Sequence, residues 1–221
     1  MNRLLKLVRH PLFGPLVVGL SARTVAALWG YGYFAADDVR YVLQPAFTWL
    51  TDPAHPYFSD IRSPLLARGF WLTMELGQTV GLTTPVGLLR FGYLALGLYS
   101  LLAIPAVYAF TARTLGQRAA VTAAWLVAAE ALMPRMSTRA LISIAALPPI
   151  TAGFACAARA DETREMPSAI LAGVLLAFGS MIRFQAGLLY VGLFAFFVYR
   201  AWRTQSGRPL LGLFLGGAVG A

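Results

Sequence analysis

The sequence predicts an all-α, polytopic membrane helix bundle with amphipathic interfacial helices in its first external loop. Of the 221 residues, 58% are hydrophobic and only 12% are charged, which is more apolar surface than a soluble domain of this length can bury. The apolar residues are grouped in runs that approach or reach membrane-spanning length. Arginines lie at the ends of these runs, where topology signals and contacts with lipid headgroups are usual.

The charged and metal-binding residue types exclude several classes of function. A formal charge of +9 would suggest nucleic-acid binding in a soluble protein, but these arginines are scattered among apolar runs, so we expect no nucleic-acid partner. Cys156 is the single cysteine, and its apolar neighbours predict a small core residue. His10 and His55 fall on opposite predicted sides, and we assign no metal site. The sequence contains neither a Walker motif nor a dinucleotide-binding motif.

The first predicted span follows a basic N-terminus. Arg3, Lys6 and Arg9 predict that this end is cytoplasmic, and no cleavable signal follows them. The span covers about 12–34, which is long enough to cross ~30 Å of hydrocarbon. An isolated arginine is costly inside a bilayer, so Arg23, near the middle of the span, should face protein or a polar cavity.

The external loop, about 35–84, is predicted to contain helices that lie on the bilayer. Apolar residues recur at helical spacing over 39–50, and Pro45 should kink this helix or divide it in two. A turn-rich stretch over 51–60 separates it from a second amphipathic helix at about 64–78.

The apolar runs after this loop are predicted to form three spans and three shorter runs. The spans are expected over about 85–110, 119–133 and 140–158. The shorter runs are expected over about 168–181, 186–199 and 209–221, the last of which is too short to cross. The connectors alternate between sides, with an outer hairpin at 134–139 and a highly charged inner connector at 159–167.

A count of basic residues supports this topology. Ten lie on the predicted inner side and six on the outer side, which is the bias that positive-inside statistics favour. We interpret residues 1–221 as a single transmembrane domain without internal repeats. Because the sequence ends inside an apolar run, we expect it to be the N-terminal part of a longer protein.

Asp37 and Asp38 are the most chemically specific feature of the sequence. They follow the first span, where a membrane helix would emerge into water. Neighbours on a helix point about 100° apart, so one acid can face a substrate while the other caps the helix or holds a partner. Helix capping alone explains one aspartate well and two less well. A carboxylate at this position suits a general base that takes a proton from a sugar hydroxyl.

Four arginines on the predicted outer side form a second candidate set, Arg62, Arg135, Arg139 and Arg183. Clustered guanidinium groups could clamp a phosphate or pyrophosphate through charge-assisted hydrogen bonds. For any one of them, binding to a lipid headgroup or pairing with a nearby acid is the simpler interpretation. Four arginines placed against the positive-inside trend favour a shared role.

Together these motifs resemble the Alg9/GPI-mannosyltransferase-like group (glycosyltransferase family 22) of the GT-C superfamily, whose members use polyprenyl-phosphate sugars. The resemblance is carried by short motifs that keep the family's order along a matching topology. They are Asp37-Asp38-Val39 with Gln44-Pro45-Ala46, Asp60-Ile61-Arg62-Ser63-Pro64, Ser137-Thr138-Arg139 and Arg183-Phe184-Gln185. Asp38 stands where that family more often has glutamate, and the family's later helices and C-terminal portion do not occur in these residues.

The resemblance implies a GT-C-like membrane glycosyltransferase that moves a sugar, with mannose favoured, from a polyprenyl-phosphate carrier. The acceptor would be a glycan or glycolipid on the non-cytoplasmic face, and the reaction would invert the anomeric centre. Asp37 would act as the base and Asp38 would position the acceptor or the backbone, with the reverse assignment open. Arg62, Arg139 and Arg183 would hold the carrier phosphate, and the scheme requires no cofactor or metal beyond the lipid-linked donor. The composition favours a bacterial plasma membrane, with the ER membrane as the alternative.

Two other functions compete with glycosyl transfer. A transporter or flippase of a lipid-linked anion would place its site near the bilayer midplane, around Arg23 and Arg90. A non-catalytic membrane scaffold, derived by truncation of an enzyme, would leave both aspartates dispensable.

Overall fold

The computed structural model describes residues 9–30, 39–57, 63–130, 132–204 and 206–220, and the regular structure within these ranges is entirely helical. The α-helices are α1 (Phe13–Trp29), α2 (Gln44–Thr51), α3 (Leu65–Thr79), α4 (Pro85–Ser100), α5 (Ala103–Thr114), α6 (Gln117–Ala129), α7 (Met133–Ser137), α8 (Ile142–Thr163), α9 (Met166–Ile182), α10 (Gly187–Thr204) and α11 (Arg208–Gly220). A π-helical turn, Val39–Leu43, precedes α2, and a 3-10 turn, Phe184–Ala186, precedes α10. This architecture confirms the predicted all-α helix bundle.

Among the described residues, three helical stretches are long and apolar enough to cross a membrane. They are Pro85–Thr114 (α4 with α5), Ile142–Thr163 (α8) and Phe184–Thr204 (the 3-10 turn with α10). Three shorter apolar helices, α1, α9 and α11, accompany them. The predicted span at 119–133 stays a prediction: α6 covers most of it, but this helix has 13 residues and rises only ~20 Å against the ~30 Å of a hydrocarbon core. Conversely, the run predicted as short at 186–199 belongs to a helical stretch of 21 residues.

Packing divides the chain into two compact units, each described here by itself. The first comprises residues 1–102 and 125–145, and the second comprises residues 103–124 and 146–221. The interpretation of the whole chain as one transmembrane domain stays a prediction.

In the first unit, α1 and α3 both pack on α4, and α2 packs on α3. The second helix predicted for the external loop is confirmed, since α3 begins and ends within one residue of the expected bounds. Pro45 lies in the first turn of α2, where the helix changes from π-helical to α-helical geometry, so the expected irregularity is present. The core between these helices contains Trp49, Phe70 and Met74, each at most 3% exposed.

Helix α8 continues through two consecutive prolines, Pro148 and Pro149. Pro149 has no N–H to donate to the carbonyl oxygen of Ala145, four residues earlier. The Tyr99 hydroxyl donates to that oxygen instead, at 3.0 Å. A side chain of α4 therefore compensates the backbone group that the proline leaves free, as polar side chains do in membrane helices.

The second unit is built on close contact between α9 and α11. Small residues permit this contact, because a Cβ atom at Gly173 or Gly216 would collide with the backbone of the facing helix. Beside this contact lies a buried apolar cluster of Ala157, Ala160, Ala169, Ala172, Phe197 and Leu213. Cys156 is a free cysteine that packs against the cluster, which agrees with its predicted place in the core.

Candidate functional site

Three of the five predicted site residues lie outside the described part of the chain. They are Asp37, Asp38 and Arg62, and their predicted roles stay predictions. The structure describes the other two, Arg139 in the first unit and Arg183 in the second.

Arg139 follows the short helix α7 and is buried, with 2% of its surface exposed. The predicted outer hairpin at 134–139 is therefore wrong, because part of this segment is helical and its last three residues are buried. Local hydrogen bonds accompany this burial, because hydroxyl side chains of the segment donate to its own backbone carbonyl groups. The Thr138 hydroxyl lies 3.1 Å from the Arg135 carbonyl oxygen, and the Ser137 hydroxyl donates to the carbonyl of Met133.

An aromatic ring covers the guanidinium group of Arg139. The Cζ atom of Arg139 lies 4.7 Å from the centroid of the Tyr93 ring. Tyr93 is held in turn by an edge-to-face contact with Phe70 of α3, at a centroid distance of 6.0 Å. A cation–π contact is strongest where both groups are removed from water, and both Arg139 and Tyr93 are at most 3% exposed.

Arg139 also contacts the end of α1. Gly30 follows that helix, and a Cβ atom at this position would collide with a guanidinium nitrogen of Arg139 and with the Ala26 carbonyl oxygen. The carbonyl end of a helix carries partial negative charge, so it is a favourable place for a cation. The chain enters the segment that carries Asp37 and Asp38 directly after Gly30.

Arg23 is buried as predicted, and its hydrogen bonds give it a structural role. Its guanidinium group donates to the carbonyl oxygens of Val127 and Ala128, at 3.0 and 3.2 Å, and to the Ser100 hydroxyl at 2.8 Å. Val127 and Ala128 belong to the last turn of α6, whose carbonyl groups have no partner within the helix. Arg23 thus caps α6, and this engagement disfavours the transporter alternative that placed an anion site around it.

Gly97 connects Arg23 with the segment that carries Arg139. A Cβ atom at Gly97 would lie 3.0 Å from the Thr138 side chain and 3.5 Å from Cβ of Arg23. Because α4 has no side chain here, both α1 and the residue before Arg139 approach it closely. The two buried arginines of the first unit are therefore positioned against the same turn of α4.

Arg183 is half-buried in the connection between α9 and α10. Its amide donates to the Gly179 carbonyl at 3.0 Å, and its own carbonyl accepts from the Ala186 amide at 2.9 Å. Next to this connection lies an apolar groove of about 470 Å³, which we call the upper groove. Its lining residues are Ala177, Ser180, Met181, Gly187, Tyr190, Phe214, Gly217 and Ala218.

A second aromatic–arginine contact, which the pattern of the sequence did not reveal, lies between α2 and α3. The Cζ atom of Arg68 lies 3.8 Å from the ring centroid of Trp49 and 5.2 Å from that of Trp71. Trp49 is fully buried and donates from Nε1 to the His55 carbonyl at 2.8 Å. Trp71, three positions after Arg68 on α3, gave the available signal, and this cluster holds α2 and α3 together.

Comparison with known families gives one match. The family model described as dolichyl-phosphate-mannose-protein mannosyltransferase matches residues 89–220, which is more than half of the chain. The matched range includes Arg139 and Arg183 and begins after Asp37, Asp38 and Arg62. No curated protein and no solved structure matches the chain.

Proposed function

Because the chain belongs to the dolichyl-phosphate-mannose-protein mannosyltransferase family, we propose that it transfers mannose from a polyprenyl-phosphate carrier on the non-cytoplasmic face of a membrane. Family membership and the three apolar helices support an integral membrane protein of the glycosyltransferase class. We propose in addition that the sugar is mannose, that transfer occurs on the non-cytoplasmic face, and that the acceptor is a hydroxyl group of a glycan or glycolipid. The finer resemblance to glycosyltransferase family 22, whose acidic motif precedes the matched residues, is also part of the proposal.

The proposed reaction is a direct displacement. The acceptor hydroxyl oxygen attacks the anomeric carbon, its proton passes to the carboxylate of Asp37, and the bond from that carbon to the phosphate oxygen breaks. The carrier phosphate leaves with the bonding electrons, and the configuration at the anomeric carbon inverts. Asp38 positions the acceptor or the backbone. In the alternative assignment, Asp38 is the base and Asp37 has the positioning role. This scheme uses one base and positive charge at the leaving group, and it requires no metal.

The burial of Arg139 is the structural observation that supports the proposal. It is a buried cation, and a preorganised cation in a dry site stabilises developing phosphate charge far more than one in water. It lies against Gly30, and Asp37 follows only seven residues later. A fully extended chain of that length spans at most about 25 Å, so the chain connection permits Asp37 to approach Arg139.

The upper groove supports a role for Arg183 in binding the carrier. A polyprenyl phosphate combines a long apolar chain with one anionic end, and this groove is apolar and adjoins the connection that carries Arg183. We propose that the first isoprene units of the carrier enter the groove while Arg183 contacts the phosphate. Arg62 completes this set of phosphate ligands.

Transfer of radiolabelled mannose from a polyprenyl-phosphate donor in isolated membranes tests the proposal. We expect Asp37→Asn, or Asp38→Asn if the roles are exchanged, to lower the rate by about 10²–10⁴-fold through loss of the base. Arg139→Gln should lower it by about 10²–10³-fold through loss of charge stabilisation. Equal transfer by wild type and both aspartate variants would contradict the assignment of a catalytic base and favour the scaffold alternative.

Asp52→Asn is the matched control. Asp52 is an exposed acid of the same loop, it contacts His55 within its own turn, and the proposed reaction does not use it. Its substitution should leave the transfer rate within a factor of two or so of wild type, because exposed pairs contribute little. Thermal unfolding of each purified variant in detergent separates a lost catalytic group from a misfolded protein.

A further inference from the structure

The contact between Tyr93 and Arg139 fixes a cation without adding a charge of opposite sign. The Cζ atom of Arg139 lies 4.7 Å from the centroid of the Tyr93 ring, and both residues are at most 3% exposed. A carboxylate in place of the ring would neutralise the cation, whereas the negative face of an aromatic ring attracts it without a formal charge. This contact therefore holds the guanidinium group and leaves its positive charge in place.

The position of this guanidinium group matters for the proposed chemistry. Arginine has a long side chain with many rotamers, and a cation stabilises a developing charge best when the protein holds it in place beforehand. The Tyr93 ring lies on one side of the Arg139 guanidinium group. On another side is Gly30, where a Cβ atom would collide with a guanidinium nitrogen. The group is thus confined between α4 and the end of α1.

A second aromatic ring supports Tyr93. Phe70 of α3 contacts it edge to face, with ring centroids 6.0 Å apart and an interplanar angle of 74°. Phe70 is 3% exposed and lies against Gly92 of α4, where a Cβ atom would come within 2.7 Å of its ring. The glycine lets Phe70 approach the backbone of α4 beside Tyr93. The orientation of the Tyr93 ring therefore depends on α3, a helix of the predicted external loop.

We propose that Tyr93 is a positioning residue of the transfer reaction and that Phe70 supports it. Tyr93 acts through Arg139, because its ring holds the guanidinium group where negative charge develops on the departing carrier phosphate. Phe70 has no charge and affects the reaction only by fixing the Tyr93 ring. This inference rests on the proposed role of Arg139 in transfer.

Initial rates of transfer of radiolabelled mannose in isolated membranes, normalised to the amount of the chain, test the inference. Tyr93→Leu should lower kcat by about 10–30-fold, which corresponds to the loss of a cation–π contact removed from water. KM for the donor should change less, because the cation acts on charge that develops in the transition state. Tyr93→Phe keeps an aromatic ring and should retain most of the rate.

Phe70→Leu is the second variant. It removes the edge-to-face contact and keeps both Tyr93 and Arg139, so kcat should fall by about 3–10-fold. If Tyr93→Leu does not fold, the comparison of Phe70→Leu with its control decides.

Phe91→Leu is the matched control for both leucine variants. Phe91 is a half-buried aromatic residue of α4 that also faces α3, since a Cβ atom at Gly77 would lie 3.3 Å from its ring. The variant weakens the same contact between helices and leaves the rings of Tyr93 and Phe70 intact. It should lower kcat by no more than about twofold, because it removes no group that holds the cation. A loss equal to that of Tyr93→Leu would indicate a general packing defect and overturn the inference.

A double-mutant cycle with Arg139→Gln separates positioning from a structural role. In the Arg139→Gln background, Tyr93→Leu should lower the rate by no more than about another twofold, because no cation remains to be held. A further loss of about tenfold or more in that background would overturn the positioning role.

Two other results would also contradict the inference. One is a wild-type rate for Tyr93→Leu beside a slow Arg139→Gln, and the other is an equal loss in Tyr93→Phe and Tyr93→Leu. Failure of the proposed function gives a different result, because a wild-type rate for Arg139→Gln would refute the role of Arg139 itself and the inference with it.

Discussion

Buried arginines organise the first unit at the level of single residues. Arg23 and Arg139 are each 2% exposed, although a charge removed from water normally carries a large desolvation cost. For Arg23 that cost is offset by backbone carbonyl groups at a helix end, which need donors in any case. For Arg139 an aromatic face and another helix end provide a similar environment. Arg23 therefore acts in folding, whereas Arg139 is the residue proposed to meet the substrate.

We predict that Arg23→Met destabilises the protein without removing a catalytic group. Methionine retains most of the side-chain volume but leaves the Val127 and Ala128 carbonyls without donors, at a cost of about 2 kcal/mol or more. Tm of the purified variant in detergent should fall by about 5 °C or more. Arg135→Met, at an exposed position of α7, should leave Tm nearly unchanged, and an equal Tm for both variants would refute the capping role.

The sequence identified both of these arginines, but it could not show what they contact. Burial of Arg23 followed from the cost of a charge in an apolar run. Arg139 was expected in an outer hairpin because the connectors were predicted to alternate between the two sides of the membrane. The hydroxyl groups of Ser137 and Thr138 donate to local carbonyls, which allows the segment to enter the interior. The ring of Tyr93 beneath Arg139 lies more than forty positions away in the chain, and no local pattern indicates such a contact.

At the level of elements, periodicity predicted the existence of helices better than their lengths. Helix α3 and the span beginning at Pro85 follow directly from apolar spacing and an N-terminal proline. Helix α6 ends at Ala129, where Arg23 of α1 donates to carbonyl groups of its last turn. Helix α8 continues through Pro149 because Tyr99 of another helix supplies the missing donor. Both outcomes depend on tertiary contacts, which a pattern along one helix does not contain.

Two glycine substitutions in the second unit should have opposite effects on stability, one at the contact of α9 with α11 and one on α10. A Cβ atom at Gly216 would collide with the Ile170 carbonyl, so Gly216→Ala must separate the helices and should cost about 1–3 kcal/mol. No atom lies within 4 Å of the corresponding position at Gly192 of α10, where alanine should stabilise the helix by up to about 1 kcal/mol. Thermal unfolding of the two variants measures both effects, and a stable Gly216→Ala protein would contradict the close helix contact.

At the level of the whole molecule, the proposed chemistry depends on the side of the membrane that each connection faces. Composition alone predicted a membrane protein, and three apolar helical stretches agree with it. The family match adds the class of reaction. The side that each connection faces is predicted from the distribution of arginines along the chain.

Labelling of single cysteines tests the sidedness directly. Cys156→Ser gives a cysteine-free background, since the chain has one cysteine. Thr83 and Leu115 flank the stretch Pro85–Thr114 and are both exposed, so each accepts a cysteine without loss of packing. In spheroplasts a membrane-impermeant maleimide should label Thr83→Cys, and it should label Leu115→Cys only after lysis. Thr83 and Asp37 both belong to the predicted external loop at 35–84, so the reverse pattern would place this loop in the cytosol and refute transfer on the outer face.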